Sequence, residues 1–152
     1  MITIRQMEHS DISSAVAIWL DAGKPEYTYL PMFQQLTAES ALVVFTRNIF
    51  NNCESWIAEH EAEPVAFVAL DGNTLDRLYV HPDFQRLGIG KQLLQFCLEQ
   101  RPEGLRLFTH QKNVRARQFY ENFGFKAVRF GISPPPESVP DVEYIYGTPN
   151  CA

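Results

Sequence analysis

Three strand-like runs follow one another with almost nothing between them: "SWIAEH", "PVAFVAL" and "TLDRLYV", within residues 55–80. Each is rich in β-branched or aromatic residues and of ordinary strand length. The connections are "EAE" and Asp71-Gly72-Asn73, which leave room only for tight turns. A chain with three such runs in succession must build around a sheet. The third run then passes directly into a helical period, in the stretch "VHPDFQRLGIGKQLLQF" of residues 80–96. That joint carries an arginine and two glycines where a plain turn needs one glycine at most.

The remaining segments surround this centre. "ITI" reads as a first strand. Ser10 offers an N-cap with Asp11 in the first turn, where the helix dipole favours negative charge. Ile12, Ala15, Val16 and Trp19 share one helical face, and Gly23 and Pro25 are expected to end that helix. Thr37 caps a second helix whose apolar face includes Ala38, Leu42, Phe45 and Ile49. Ile89, Leu93, Phe96 and Cys97 mark a third. "LRLFTH" is a short strand, residues 113–122 a further helix, and Gly124 stands as its C′ residue. "FKAVRF" and "VEYIYG" are strands on either side of the loop "SPPPESVP". No repeat or long linker divides the chain, so residues 1–152 are expected to form a single domain with helices on both faces of one sheet.

The formal charge of −5 argues against nucleic acid, which demands clustered positive charge. The basic cluster of Lys112, Arg115, Arg117 and Lys126 near one helix is thin against that balance. No apolar run approaches the roughly 18 residues of a membrane span, and the N-terminus reads as a strand rather than a signal peptide. Cys53, Cys97 and Cys151 are an odd count without CxxC spacing, which fits a reducing cytoplasm and gives no metal site. Cys97 falls on an apolar helical face and is expected to be a buried, inert thiol.

The glycines at residues 80–96 make sense as an anion cradle. A helix N-terminus presents unpaired N–H groups and partial positive charge. Glycine lets a phosphate approach them with no Cβ in the way. Arg86 and Lys91 add full charges, and arginine can grip phosphate oxygens with two parallel bonds. The stretch is neither a dinucleotide fingerprint nor a Walker loop, because Leu93 stands where a third glycine is needed and no G-K-[ST] follows.

Read whole, "VHPDFQRLGIGKQLL" resembles the V-x-P-x-x-Q-x-x-G-x-G signature of the GNAT acetyltransferases. "NVRARQFYENFGFKAV" resembles the later N-x-x-A-x-x-F-Y-E-x-x-G-F motif of the same family. The two lie in the family's order with a strand between them, and the resemblance is close over residues 55–130. It implies an α/β (mixed α+β) domain whose central sheet is mixed, largely antiparallel and splayed at a bulge. It implies acetyl-CoA as co-substrate, with no metal. The strand end at Leu78, Tyr79 and Val80 would pair with the pantetheine arm. Arg86, Leu87, Gly88, Ile89, Gly90 and Lys91 would form the phosphate loop. Asn113 would contact the cofactor, besides serving as an N-cap, and Tyr120 would face the thioester sulfur rather than act only as a core aromatic.

The chemistry so implied is N-acetylation of a primary amine of a small molecule or peptide by direct attack. Some relatives carry a glutamate as base five residues ahead of the asparagine. Phe108 occupies that position here, leaving Asp76 and His110 as candidates. Tyr27, Tyr29 and Phe33 after the first helix, with Glu137, Asp141 and Glu143 near the C-terminus, are expected to shape the acceptor site and would suit a cationic amine. A catalytically idle acyl-CoA sensor is the alternative, disfavoured by the presence of Tyr120. Pairing of "VEYIYG" with a second copy would add a homodimer to this activity without replacing it.

Overall fold

The computed structural model describes residues 1–149, so Cys151 lies outside the described residues. The chain runs β1 (Ile2–Gln6), α1 (Ile12–Glu26), α2 (Pro31–Gln34), α3 (Ala38–Phe45), β2 (Glu54–His60), β3 (Glu63–Asp71) and β4 (Thr74–Val80). It continues with α4 (Ile89–Gln100), β5 (Gly104–His110), α5 (Val114–Phe123), β6 (Lys126–Ile132) and β7 (Pro140–Gly147). The strands form one sheet in the order β1-β2-β3-β4-β5-β7-β6. Neighbours are antiparallel except β4 and β5. No helix among the described residues is long and apolar enough to cross a membrane.

Alternation in β3 is lost because both of its faces are covered. Val65, Ala66, Phe67, Val68, Ala69 and Leu70 are all buried. One face packs on α4 and α5 through Val68, Leu93, Leu94, Leu105, Val142 and Tyr144. The other packs on α1 and α3 through Ile12, Val16, Trp19, Phe45, Ile49 and Phe67. Cys97 belongs to the first cluster and is fully buried, and that burial pushes its thiol up to about 12. The β2–β3 hairpin closes on Glu61 and Ala62, both left-handed at φ 51° and 67°, which matches the twist of a two-residue hairpin loop.

Three expectations are corrected. Helix α1 runs through Gly23 and Pro25 to Glu26. Pro25 falls in the last turn, where its missing N–H forfeits a single helical bond. Gly23 serves packing instead of termination, since a Cβ there would come within 2.3 Å of the Phe33 ring. The inward face of α3 and of the π-helical turn Thr46–Phe50 that continues it is Ala41, Phe45 and Ile49, spaced four apart, whereas Leu42 sits one step around the helix and is 40% exposed. The segment "VEYIYG" lies in β7, which is hydrogen-bonded on both sides between β5 and β6. The free edge on that side is β6, so β7 has no unpaired edge to offer a second copy.

Candidate active site

The site follows from one irregularity in β4. Ala69 faces Arg77 and Leu70 faces Leu75, so Asp76 is an extra residue in β4, a bulge. Beyond it β4 leans away from β5. The two strands pair only at Thr74 with Arg106 and Leu75 with Leu107. Leu78, Tyr79 and Val80 remain paired with β3 on their other side. Their β5-facing backbone groups therefore line a gap. The gap opens into a cleft of about 1450 Å³ bounded by β4, the loop before α4, α5, the end of α1 and the β6–β7 loop.

The loop before α4 forms one end of the cleft. Arg86 and Gly88 are both left-handed, at φ 66° and 82°. Gly88 is the N-cap of α4, so the N–H groups of Ile89, Gly90 and Lys91 begin the helix without helical partners. Space around Gly88 is open, with no atom within 4 Å of a Cβ built there. Gly90 approaches the Phe119 ring, which a Cβ would meet at 3.1 Å, so this glycine also lets α5 come close. The Gln85 amide donates to the Val80 carbonyl at 3.0 Å and accepts from Arg115 at 3.2 Å, closing the loop onto the strand end. These residues fit a diphosphate: open N–H groups, a helix N-terminus and two cations on one side of a roomy cleft. Arg86, Gly88, Ile89, Gly90 and Lys91 all line it, while the Leu87 side chain is 66% exposed and does not.

Asn113 caps α5, its Oδ1 accepting from the Ala116 N–H at 3.1 Å. It is buried and acts on Glu26 at the end of α1. Burial holds the Glu26 carboxyl above the usual range, and the Asn113 amide draws it partly back. Tyr120 lies about two turns further along α5, its ring against Phe119, Phe125 and Tyr144. Its ring packs with the core, and the residue also lines the cleft. Burial, followed by the nearby Tyr79 and Glu26, raises its phenol above the ordinary value and keeps it protonated.

The base candidates separate. Asp76 is engaged by Arg77, whose Nη1 lies 3.4 Å from its carboxylate, and it neighbours Cys53. Burial and that neighbouring carboxylate push the Cys53 thiol up to about 12. Phe108 lines the cleft and is 47% exposed. Glu143, opposite it on β7, is locked between Arg106 at 2.6 Å and Arg129 at 3.2 Å. His110 stands at the end of β5 with Nδ1 2.7 Å from the Tyr29 hydroxyl and Nε2 3.3 Å from Glu137. That bond holds the Glu137 carboxyl below the usual range.

Of the aromatics after α1, Tyr27 and Phe33 line the cleft. Glu26 and Arg77 line it as well and were not foreseen. Continuing the α1 period past Pro25 would have placed Glu26, whereas Arg77 was hidden by the bulge that breaks the alternation of β4. Three of the four residues in the basic cluster, Lys112, Arg115 and Arg117, are engaged locally. Arg117 bonds the Tyr144 hydroxyl and covers the Phe130 ring, Arg115 bonds Gln85, and Lys112 sits over Tyr29.

Residues 51–127, half of the chain, match the family described as "Acetyltransferase (GNAT) domain". The peptidyl-lysine N-acetyltransferase YjaB of Salmonella typhimurium is 31% identical over 127 residues, covering 83% of this chain and 84% of that protein. The solution structure of apo YjaB from Escherichia coli superposes with a TM-score of 0.78 at 26% identity, over 97% of this chain and 99% of that one. The PaiA N-acetyltransferase of Thermoplasma acidophilum, solved with coenzyme A, shares the fold, with a TM-score of 0.69 at 21% identity over 96% and 99% of the two chains. The splayed strand, the glycine loop and these likenesses lead to one conclusion: the chain belongs to the GNAT family and is an N-acetyltransferase.

Proposed function

We propose that the chain transfers the acetyl group of acetyl-CoA to a primary amine, with the ε-amine of a peptidyl lysine as the acceptor class. The observation that carries this is the parting of β4 from β5 after two residue pairs, which opens a gap between the anion-binding loop and Tyr120. The coenzyme A bound by a protein of the same fold supports the co-substrate. The activity named for the YjaB relatives supports the acceptor.

Acetyl-CoA supplies a thioester; the protein positions it and manages protons and charge. Arg86, Lys91 and the N–H groups at Gly88, Ile89 and Gly90 hold the diphosphate. Hydrogen bonds to charged partners are worth roughly 1.5–3 kcal/mol each, so a few suffice on an acidic protein. Along the splayed stretch of Leu78, Tyr79 and Val80 the β5-facing groups left free pair with the pantetheine amides, the Val80 carbonyl being already taken by the Gln85 amide, and an N–H among them stabilises the carbonyl oxygen as charge develops on it. Tyr120 gives its hydroxyl hydrogen bond to the departing sulfur. Its phenol is raised while a free thiol ionises near 8.5, so full proton transfer to the thiolate is uphill and the role is hydrogen bonding.

Calorimetry with acetyl-CoA tests the reading first, and binding in the micromolar range or tighter is expected. Thiol release is then followed with lysine peptides, polyamines and aminoglycosides as acceptors. No heat with acetyl-CoA sinks the proposal. Release driven by the small amines and not by the peptides sinks the peptidyl-lysine part alone.

A further inference from the structure

An amine must lose a proton before it can attack, and a lysine ammonium does not lose it readily at neutral pH. The carboxylate position used by some relatives is occupied by Phe108, and Asp76 and Glu143 are committed to arginines. His110 differs, because each ring nitrogen faces an oxygen. Nδ1 lies 2.7 Å from the Tyr29 hydroxyl and Nε2 lies 3.3 Å from a Glu137 carboxylate oxygen. A neutral imidazole has one N–H and cannot donate to both, whereas an imidazolium donates to both. The arrangement complements the ring as it stands after taking a proton.

We propose that His110 and Glu137 form the station that binds and deprotonates the acceptor's ammonium, with Tyr29 as the positioning residue for the ring. Before the step, Nδ1–H donates to the Tyr29 oxygen, the shorter of the two contacts. The Nε2 lone pair then faces Glu137 at 3.3 Å with no hydrogen bond between them, and the bond that lowers the Glu137 carboxyl forms only once Nε2 carries a proton. Both His110 and Glu137 line the cleft, with side chains 14% and 45% exposed. An arriving R–NH3+ donates one N–H to the carboxylate and one to Nε2. The second N–H bond breaks, its proton stays on Nε2, and the freed lone pair forms the C–N bond at the thioester carbonyl. The C–S bond breaks with its electron pair on sulfur. Nitrogen sheds a further proton as the amide forms, which balances the leaving thiolate as free thiol. The proton on His110 leaves by the exposed rim at Glu137. The surrounding charges are mixed. Tyr27 and Tyr29 flank the ring, Lys112 lies over Tyr29, Asp141 is the β7 partner of His110, and Arg77 and Glu26 act on Glu137 and Tyr29 from β4 and α1.

This rests on the acetyl-transfer reading, and the experiment keeps the two apart by measuring acetyl-CoA binding on every variant. Kinetics compare a lysine peptide with the same peptide carrying γ-thialysine, whose amine is less basic and reaches the site more often neutral. His110→Gln is expected to bind acetyl-CoA as the parent does and to lose kcat about a hundredfold on lysine, within the range a general base contributes. It should lose much less on thialysine, and the acid limb of its rate profile should disappear. Glu137→Gln, at the exposed rim and safe for folding, should raise KM for the peptide about tenfold with a smaller change in kcat. Tyr29→Phe should reduce kcat and leave the acid limb in place. Intact acetyl-CoA binding with an undiminished His110→Gln rate, or an equal loss on both acceptors, overturns the station and leaves acetyl transfer standing. An unchanged KM in Glu137→Gln overturns its ammonium-binding part. Absence of acetyl-CoA binding by the parent protein overturns both.

Discussion

Tyr27 and Tyr79 meet hydroxyl to hydroxyl at 3.0 Å, fastening the end of α1 to the stretch of β4 that has parted from β5. Tyr79 also stacks on Phe67, with centroids 5.7 Å apart. Burial raises both phenols, so neither ionises at physiological pH and the pair persists as one donor and one acceptor. Tyr27→Phe or Tyr79→Phe strands the remaining hydroxyl and should lower stability by about 1 kcal/mol. For a chain of this size that is a fall of roughly 2–4 °C in Tm. The double variant should lose less than the two single losses added together, and a thermal double-mutant cycle measures the coupling. Strict additivity would show that the contact carries no energy.

Arg86 combines a full charge with a left-handed backbone, φ 66°, that suits glycine better. Arg86→Gly should therefore move stability and affinity in opposite directions. Relief of the backbone should raise stability by up to about 1 kcal/mol, offset in part by the greater freedom of the unfolded chain. Loss of the charged hydrogen bonds should weaken acetyl-CoA binding by about ten- to a hundredfold. Thermal melts and calorimetry on one preparation check both. Gly88→Val, with its side chain in the space left open at φ 82°, should fold less stably and lose acetyl-CoA binding.

Tyr120→Phe keeps the ring against Phe125 and Tyr144 and removes only the hydroxyl. Turnover should fall by about one to three orders of magnitude, while acetyl-CoA affinity barely moves. A raised phenol stays protonated as pH rises, so Tyr120 contributes no alkaline limb below about pH 10. The alkaline side of the profile should be the same in the parent and the variant, and rates across pH 6–10 decide it.

Arg5 grips Asp11 through both carboxylate oxygens, at 2.7 and 2.8 Å, and Asp11 also accepts from the Glu8 N–H. The Arg5 bond, ahead of every other cause, holds the Asp11 carboxyl below the usual range. A carboxyl depressed in the folded state adds stability above its unfolded value, near 3.9, and the gain is lost as pH falls through its folded value. Asp11→Asn should destabilise the protein by about 1 kcal/mol at pH 7, a figure reduced because Arg5 is partly exposed. The difference from the parent should shrink as pH falls below the unfolded value near 3.9 and through the lowered folded one, as denaturant melts at neutral and acid pH would reveal.

What was legible in the sequence was whatever is local. The strand-to-helix joint at residues 80–96, the Thr37 and Asn113 caps and the Gly124 stop depend on neighbours a few positions away, and each lies where it was expected. Leu75, Leu78 and Val80 share a face only because Asp76 is extruded, which no strict alternation reveals. Gly23 looked like a helix stop because its reason, the Phe33 ring, comes from another element. The contact of His110 with Tyr29 spans 81 positions and that with Glu137 spans 27. Each was named as an acceptor-site or base candidate, but nothing in their spacing joins them, because sheet topology alone brings the three elements together.

The two pairs that join β4 to β5 make the sheet continuous in topology and nearly severed in mechanics. On one side of this seam β1, β2, β3 and β4 are zipped along their lengths; on the other, β5, β7 and β6 are. In the proposed reading a pantetheine arm along the seam would act as a stretch of missing strand, bridging two plates that the chain itself stitches only at one end. At about a hundred times its dissociation constant such a ligand adds roughly 2.7 kcal/mol to stability. Amide hydrogens flanking the seam should slow their exchange with solvent more than those in the hairpin of β2 and β3. In that reading the reactant would be a removable structural member, and each round of product release would return the protein to its less cross-braced form.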